Sequence, residues 1–300
     1  MRTVLSRTRG RASAAVTLAL SGMVLIAGCG APDVPPPAAA PSATQAPAPS
    51  PQPAGASQPQ AAGANTKALP AGTQVRNPAN GRLEVVVPDI SKTVLLIGDS
   101  QSAPQDGWPR LGLASAGYSV YFCGLGGTGY VAANGGVGNY IDALLNGNWL
   151  LPSGTPAMIV IQGGGNDAGT GASNSQISAN ADRLIAELKT RYLGTRIVLI
   201  GTLAKGAANG GGRRTEVDTL LGSVAAAHGL PFISAGDWLT KYGATKDLAD
   251  AVHMNPAGRK TLGKVLDGKL RELNLERKTT VDPDRLMAQG SLAPVGSNQG

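Results

Sequence analysis

Residues 93–102 read T-V-L-L-I-G-D-S-Q-S, an apolar run from Val94 to Ile97 that ends abruptly in Gly98-Asp99-Ser100. An apolar run between turn-forming residues is typical of a strand buried on both faces, as in a parallel sheet. Open α/β sheets bind their ligands at the carboxyl ends of such strands, so we expect the Ser100 hydroxyl to be exposed there. Gly, Asp and Ser also favour ordinary turns, and this stretch alone leaves a plain strand-to-loop connection open.

Strand and helix patterns alternate from about residue 82 to about residue 275. The predicted strands are 83–87, 94–97, 118–123, 157–162, 196–202 and 231–235, and the predicted helices are 108–116, 140–145, 175–192, 217–227 and 256–273. This alternation predicts an α/β fold, a three-layer α/β/α sandwich around a mostly parallel sheet of five strands, with 83–87 as an extra edge strand. We expect Asn174 or Ser175 to cap the helix 175–192, and Pro256 to lie in the first turn of the last helix.

Residues 1–28 have the three parts of a secretory signal peptide: an Arg-rich start, an apolar stretch from Ala14 to Ala27, and small residues before a cleavage site. The apolar stretch is shorter than the roughly 20 residues that a membrane-spanning helix needs. The sequence Leu25-Ile26-Ala27-Gly28-Cys29 resembles a bacterial lipobox, which implies cleavage before Cys29 and attachment of a diacylglycerol to its sulfur. An uncleaved anchor, or a plain export signal with an incidental cysteine, is the alternative.

Residues 29–80 are interpreted as the lipidated cysteine followed by a disordered Pro/Ala-rich linker. Ten of the 21 prolines fall between Pro32 and Pro59, and large apolar residues are almost absent there. Such a segment buries too little surface to offset the entropy lost on ordering. The folded domain is predicted over 81–276 and a flexible tail over 277–300. We therefore expect the domain to be held by lipid on the extracytoplasmic face of the cell membrane.

The net charge of +7 comes largely from the N-terminus, where four arginines lie among the first eleven residues. Without residues 1–28 the chain carries 22 basic and 19 acidic residues, a balance that gives no reason to propose nucleic acid as a partner. The two cysteines, Cys29 and Cys123, exclude a disulfide scaffold.

A serine nucleophile needs a base, and the chain has only two histidines. His228 ends a predicted helix, where it favours the helix dipole and is expected to act as a cap. His253 lies in Asp250-Ala-Val-His253, before the last helix. An acid three residues before a histidine can bind Nδ1 and leave Nε2 free for a serine, although the pattern is common. Asp237 is the fallback partner for His253. No second histidine lies within metal-ligand spacing, so no metal is predicted.

Donors for a developing oxyanion are available at two other strand ends. Asn166 follows three glycines after the strand 157–162, and Gly127 lies in the glycine-rich stretch after the strand 118–123. Residues 124–129 also read G-x-G-x-x-G, a pattern of dinucleotide-binding turns. The acid that such turns require about twenty residues later is missing from 146–149, so no organic cofactor is predicted.

Four blocks occur in order along the domain: Gly98-Asp99-Ser100, Gly127 within Gly124-Leu-Gly-Gly127-Thr, Gly164-Gly-Asn166-Asp167, and Asp250-x-x-His253. In this combination the chain resembles the SGNH, or GDSL, hydrolase family. Gln101 departs from the pattern, since many members have Leu there, and we expect its identity to matter little to the chemistry.

The resemblance implies a flavodoxin-like sheet and hydrolysis of acyl esters. By position, Ser100 is implied to be the nucleophile, His253 the general base and Asp250 the residue that orients His253. The implied oxyanion hole consists of the Ser100 N–H, the Gly127 N–H and the Asn166 side chain. The nucleophile elbow of α/β-hydrolases, G-x-S-x-G, is absent from the sequence.

Three other features receive structural interpretations. Cys123 is expected to be a buried apolar thiol, and Asp167 to stabilise its own turn. The loop 204–215, which holds two adjacent arginines, is expected to be exposed and solvated, although it follows a strand end and could admit an anionic or sugar substrate.

The predicted function is that of a membrane-tethered extracytoplasmic serine esterase acting on short acyl esters of cell-envelope glycans or lipids. Two alternatives stay open. The same acyl-enzyme could pass its acyl group to a sugar hydroxyl, as in an acyltransferase, or the domain could be a non-catalytic binding module of the envelope.

Overall fold

A five-stranded parallel sheet runs through residues 69–278, the part of the chain that the computed structural model describes. The strands are β1 (Gln74–Arg76), β2 (Leu83–Val85), β3 (Thr93–Gly98), β4 (Ser119–Gly124), β5 (Leu151–Pro152), β6 (Met158–Gln162), β7 (Ile197–Ile200) and β8 (Phe232–Ile233). The α-helices are α1 (Trp108–Ser115), α2 (Tyr140–Leu145), α3 (Gly165–Thr170), α4 (Asn174–Arg191), α5 (Gly212–Ala227), α6 (Trp238–Lys241) and α7 (Pro256–Glu272).

The strand β3 lies inside the main sheet, whose order is β4-β3-β6-β7-β8. It pairs in parallel with β4 on one side and β6 on the other, with Leu96 opposite Phe122 and Val160. Its six residues are all buried. Because successive side chains of a strand point to opposite faces, Leu95 and Leu96 enter different cores.

Helices cover both faces of this sheet. The core that contains Leu95 is closed by α2, α4 and α5, and the core that contains Leu96 is closed by α1, α6 and α7. This arrangement confirms the predicted three-layer α/β/α sandwich. Since all five strands are parallel, their carboxyl ends all lie at the same end of the sheet.

The predicted edge strand 83–87 does not join the main sheet. It is reduced to β2, which forms a separate three-stranded sheet with β1 and β5. The segment between β2 and β3 contains Pro88 and a 3-10 turn, Ile90–Lys92, which break the chain direction before the main sheet begins.

Two helix starts differ from the prediction. Ser173, not Asn174 or Ser175, caps α4, and it forms a reciprocal capping box with Gln176. The helix α5 begins at Gly212 instead of near residue 217, so the two arginines that were assigned to an exposed loop lie in its first turn. Pro256 opens α7 as predicted, behind an Asn255 cap.

Within residues 69–278, no helix is both long enough and apolar enough to cross a membrane. The predicted signal peptide, Cys29 and most of the predicted linker precede the described residues, and most of the predicted tail follows them.

Candidate active site

The turn after β3 presents Ser100 through hydrogen bonds to Asp99. The buried Asp99 carboxylate accepts the Gln101 N–H at 2.9 Å, and its carbonyl accepts the N–H groups of Ser102 and Ala103 at 3.0 Å each. Burial raises the pKa of Asp99 to about 6, although the Gln101 N–H and the charge of Arg214 oppose that rise. The turn that carries Ser100 is therefore held by a carboxyl group that is itself buried.

The loop before α7 brings a histidine to Ser100. Asp250 Oδ1 accepts the N–H groups of Val252 and His253 at 2.8 and 2.7 Å, which bends the loop back on itself. His253 Nδ1 then lies 2.7 Å from Asp250 Oδ2, and His253 Nε2 lies 2.8 Å from Ser100 Oγ. The backbone N–H bonds of Val252 and His253, followed by the His253 ring, hold the pKa of Asp250 well below its usual range.

An antiparallel bridge closes this loop at its base. Leu248 pairs with Met254, and the Ala249 N–H donates to the His253 carbonyl at 2.8 Å. The His253 and Asp250 side chains are 41% and 56% exposed, so solvent can reach both the imidazole ring and the carboxylate. The loop is thus fixed by its backbone, while its reactive side chains face the outside.

The glycine-rich loop after β4 is held by Asp167. This fully buried carboxylate accepts the N–H of Tyr130 at 2.9 Å, of Val131 at 2.7 Å and of Ala132 at 2.9 Å. A Cβ on Gly129 would lie 2.4 Å from Asp167 Oδ2, so the loop can pass this close only with glycine there. Asp167 therefore shapes a neighbouring loop, whereas the sequence had suggested that it stabilises its own turn.

Ser100, Gly127 and Asn166 carry the hydrogen-bond donors that the resemblance assigns to an oxyanion hole. Within residues 69–278, the N–H groups of Ser100 and Gly127 donate to no protein acceptor. Asn166 uses one amide hydrogen on the Thr128 carbonyl at 2.9 Å, which fixes its carboxamide beside the same loop and leaves its second hydrogen available. Gly127 has φ +83°, a left-handed conformation that favours glycine. The hydrogen bond from Asn166 thus joins it to the loop that carries Gly127, and the same loop approaches Ser100 at Gly126, where a Cβ would fall 3.4 Å from Ser100 Cβ.

A cavity of about 390 Å³ opens over the Ser100 and His253 side chains. Its remaining wall is mostly small or apolar and consists of Gln101, Ala103, Pro104, Gly126, Ala249, Asp250, Met254 and Arg259. The Arg259 guanidinium is already paired with Asp106 at 2.7 Å and with the Met254 carbonyl at 3.0 Å. The cavity therefore offers an apolar recess next to Ser100, with one ion pair at its side.

Gln101 has contacts that the sequence analysis did not foresee. Its Nε2 donates to the Val252 carbonyl at 2.8 Å, and its Oε1 accepts the Trp108 indole N–H at 3.1 Å. It thereby connects the Ser100 turn to the residue before His253. Its partner Val252 lies 151 positions away, so no local sequence signal could have revealed this contact.

The other singled-out residues lie outside this hydrogen-bonded group. Cys123 is buried, and burial raises the pKa of its thiol to about 12. Asp237 precedes α6, with its carboxylate 3.9 Å from Lys241, and does not bind His253. His228 caps the end of α5 as expected and binds Asp182 at 2.8 Å. In the described part of the chain, no three His, Cys, Asp or Glu side chains are grouped as metal ligands.

The loop 204–215 is predicted to be exposed, but Arg214 within it is not. This half-buried side chain donates through Nε to the Leu203 carbonyl at 3.0 Å and through Nη1 to the Gly165 carbonyl at 3.3 Å. It therefore joins α5 to the residues that precede Asn166.

Comparison with known proteins places residues 96–261, more than half of the chain, within the sequence model of the GDSL-like lipase/acylhydrolase family. No curated protein matches the chain.

Among solved structures, a lipase/acylhydrolase from Enterococcus faecalis is 20% identical, with a TM-score of 0.48 over 63% of this chain and 100% of that one. A member of the lipolytic G-D-S-L family from Veillonella parvula is 19% identical, with a TM-score of 0.43 over 60% of this chain and 97% of that one. An active-site mutant of a family two carbohydrate esterase from Clostridium thermocellum is 15% identical, with a TM-score of 0.47 over 66% and 69% of the two chains.

Proposed function

Because the chain belongs to the GDSL-like lipase/acylhydrolase family, we propose that it hydrolyses acyl esters with Ser100 as nucleophile, His253 as general base and Asp250 as the residue that orients His253. The observation that carries the proposal is the continuous hydrogen-bonded line from Ser100 Oγ to His253 Nε2 at 2.8 Å and from His253 Nδ1 to Asp250 Oδ2 at 2.7 Å. This line ends at a cavity large enough for a small ester.

In the first half of the reaction, His253 Nε2 takes the Ser100 proton while Oγ attacks the ester carbonyl. Asp250 is already ionised, because two backbone N–H groups and the imidazole stabilise its charge, and it favours the imidazolium that forms. The carbon–oxygen bond of the ester then breaks, His253 gives its proton to the leaving alcohol, and the acyl group stays on Ser100. Water attacks this acyl-enzyme in the second half, again with His253 as base, and releases the carboxylic acid.

The oxyanion of each tetrahedral intermediate would be stabilised by the Ser100 N–H, the Gly127 N–H and the second amide hydrogen of Asn166. The support for this assignment is that these donors have no competing protein acceptor within residues 69–278. Donors that are already fixed in place need no reorganisation when charge develops, which is the main source of their catalytic effect. Asp167 would contribute indirectly by fixing the loop that carries Gly127.

Short acyl groups suit the cavity best. Its volume of about 390 Å³ lies at the lower end of the range for ligand pockets, and Ala103, Pro104, Ala249 and Met254 supply an apolar wall. We propose substrates of this kind on cell-envelope glycans or lipids, because the signal-like N-terminus with Cys29 supports a lipid-anchored protein on the extracytoplasmic face of the membrane.

The experiment that tests the proposal compares a series of p-nitrophenyl esters, from acetate to dodecanoate, on the full chain. We expect kcat/KM to be highest for the shorter acyl chains, since the recess beside Ser100 is small. Adding an alcohol acceptor measures partition of the acyl-enzyme between water and alcohol. Acid as the main product supports hydrolysis, whereas predominant formation of the new ester would make the protein an acyltransferase.

A further inference from the structure

A second cavity, of about 410 Å³, lies at the opposite end of the main sheet, where its strands begin. Its walls come from the end of β1, from β2 and the residues just before it, from β5, and from the ends of α2 and α4. The strands β2 and β5 come just before β3 and β6 in the chain, and the end of α4 comes just before β7. This cavity is therefore on the side where the parallel strands begin, whereas Ser100 follows the end of β3.

One part of the wall of this second cavity is apolar and open to solvent. Leu83 is 49% exposed and Leu145 is 38% exposed, and behind them lie Leu144, Leu151 and the indole of Trp149. Large apolar side chains that remain exposed beside a concave surface mark a place where an apolar ligand gains free energy by displacing water.

The other part of the wall is cationic. Arg82 and Arg191 share the carboxylate of Glu187, whose Oε1 lies 2.9 Å from Arg191 Nε and 3.6 Å from Arg82 Nη1. Two guanidinium groups on one carboxylate leave an excess positive charge. Arg76 also lines the cavity and donates to the Gly81 carbonyl.

Three buried nitrogen donors in these walls have no hydrogen-bond partner within residues 69–278: Arg82 Nη1, Arg191 Nη2 and Trp149 Nε1. The Arg191 side chain is only 8% exposed and Trp149 only 9%. Buried donors in native proteins are normally hydrogen-bonded, and these three lie beside one cavity. Guanidinium groups pair best with carboxylate and phosphate oxygens, which accept two parallel hydrogen bonds.

We propose that this cavity is a binding site for an anionic amphiphile. A carboxylate or phosphate group would pair with Arg82 and Arg191, and the attached hydrocarbon chain would lie along Leu83 and Leu145. The site does not depend on the esterase mechanism, since none of its lining residues lines the cavity over Ser100.

Isothermal titration of the full chain with dodecanoate and with dodecyl phosphate tests the site, with dodecanol and inorganic phosphate as probes of the chain and the anion alone. We expect saturable binding of the two amphiphiles, and at least tenfold weaker binding of dodecanol and of inorganic phosphate. Equal affinity for dodecanol and dodecanoate would overturn the proposal, because the arginines would then have no role. Binding of inorganic phosphate as tight as that of dodecyl phosphate would overturn the proposal that the hydrocarbon chain lies along Leu83 and Leu145.

Variants locate the site. Arg191→Gln is expected to weaken dodecanoate binding at least tenfold, while Arg183→Gln, at an exposed position of the same helix, should leave it unchanged. Leu83→Asp places a negative charge at the mouth on a half-exposed residue and should also weaken binding at least tenfold, which keeps the test valid if the Arg191 variant does not fold. Ser100→Ala should bind dodecanoate like the wild type. Unchanged affinity in both Arg191→Gln and Leu83→Asp would contradict the proposal.

Discussion

Replacing Asp167 by alanine should destabilise the domain and its proposed oxyanion hole together. The carboxylate accepts three buried backbone N–H groups, from Tyr130, Val131 and Ala132, at 2.7 to 2.9 Å. A buried donor left without its partner costs about 1–3 kcal/mol. Because water can enter the space vacated by the side chain and satisfy part of this demand, we expect a total loss of about 3–5 kcal/mol in the free energy of unfolding.

Urea unfolding of the full chain measures this loss. With a slope of about 3 kcal/mol per molar urea, the midpoint should fall by about 1–2 M. Asp167→Asn should lose about half as much, since one oxygen can still accept the Val131 and Ala132 N–H groups while the new amide faces the Tyr130 N–H. The matched control is Asp182→Ala, which breaks an exposed pair with His228 and should cost less than about 1 kcal/mol.

Esterase activity gives the second readout for the same variants. In the absence of urea, where Asp167→Asn is still folded, the kcat/KM of this variant should be lower than that of the wild type, because the loop that carries Gly127 is no longer fixed. An unfolding midpoint for Asp167→Ala equal to that of the wild type would refute the stability reasoning. A destabilised Asp167→Asn variant with unchanged kcat/KM would refute the link between this carboxylate and the Gly127 donor.

Three further predictions concern single residues. Burial raises the pKa of Asp99 from 3.8 to about 6, so the folded state binds this proton more tightly than the unfolded chain does. The free energy of unfolding of the wild type should therefore fall by on the order of 3 kcal/mol as the pH rises from 4 to 7. Urea unfolding of Asp99→Asn should not show this fall, and parallel pH curves for the two proteins would contradict the prediction. Asp250→Asn should lower kcat/KM by about 10³–10⁴ because the imidazole loses its orienting charge, whereas Asp237→Asn should match the wild type in the same assay. Cys29→Ser should abolish metabolic labelling of the protein by palmitate, and labelling that persists in this variant would exclude lipid attachment to Cys29.

The main sheet could be predicted because its central strands are buried on both faces. The strands β3 and β6 contain only buried residues, so their sequences are continuous apolar runs. Once those runs were placed as parallel strands, Ser100 and Asn166 had to lie at the same end of the sheet, where the strands terminate. The Asp250–His253 contact could be predicted for a different reason, since a spacing of three residues is closed within one turn of chain.

The small sheet could not be predicted, because β1, β2 and β5 have only two or three residues each and show no periodic pattern. A chain that began at the predicted start of the domain, residue 81, would lack β1. The start of α5 was missed because Gly211 and Gly212 are typical of loops, while the contacts that fix this turn come from Arg214 to carbonyl groups of two other segments.

The supporting contacts of the site were beyond local patterns for the same reason. Gln101 binds Val252 across 151 positions, and Asp167 binds Tyr130 across 37. Each residue alone is compatible with an ordinary turn, and only the folded chain brings its partner within hydrogen-bonding distance.

Hydrolysis of p-nitrophenyl acetate by the full chain and by Ser100→Ala tests the central claim most directly. The hydroxyl of Ser100 is the group that His253 Nε2 contacts at 2.8 Å, and its removal leaves the donors around the cavity in place. We predict that the variant folds like the wild type and that its kcat/KM falls by at least about 10³. Equal rates for the two proteins would contradict the assignment of Ser100 as the nucleophile and, with it, the proposed mechanism.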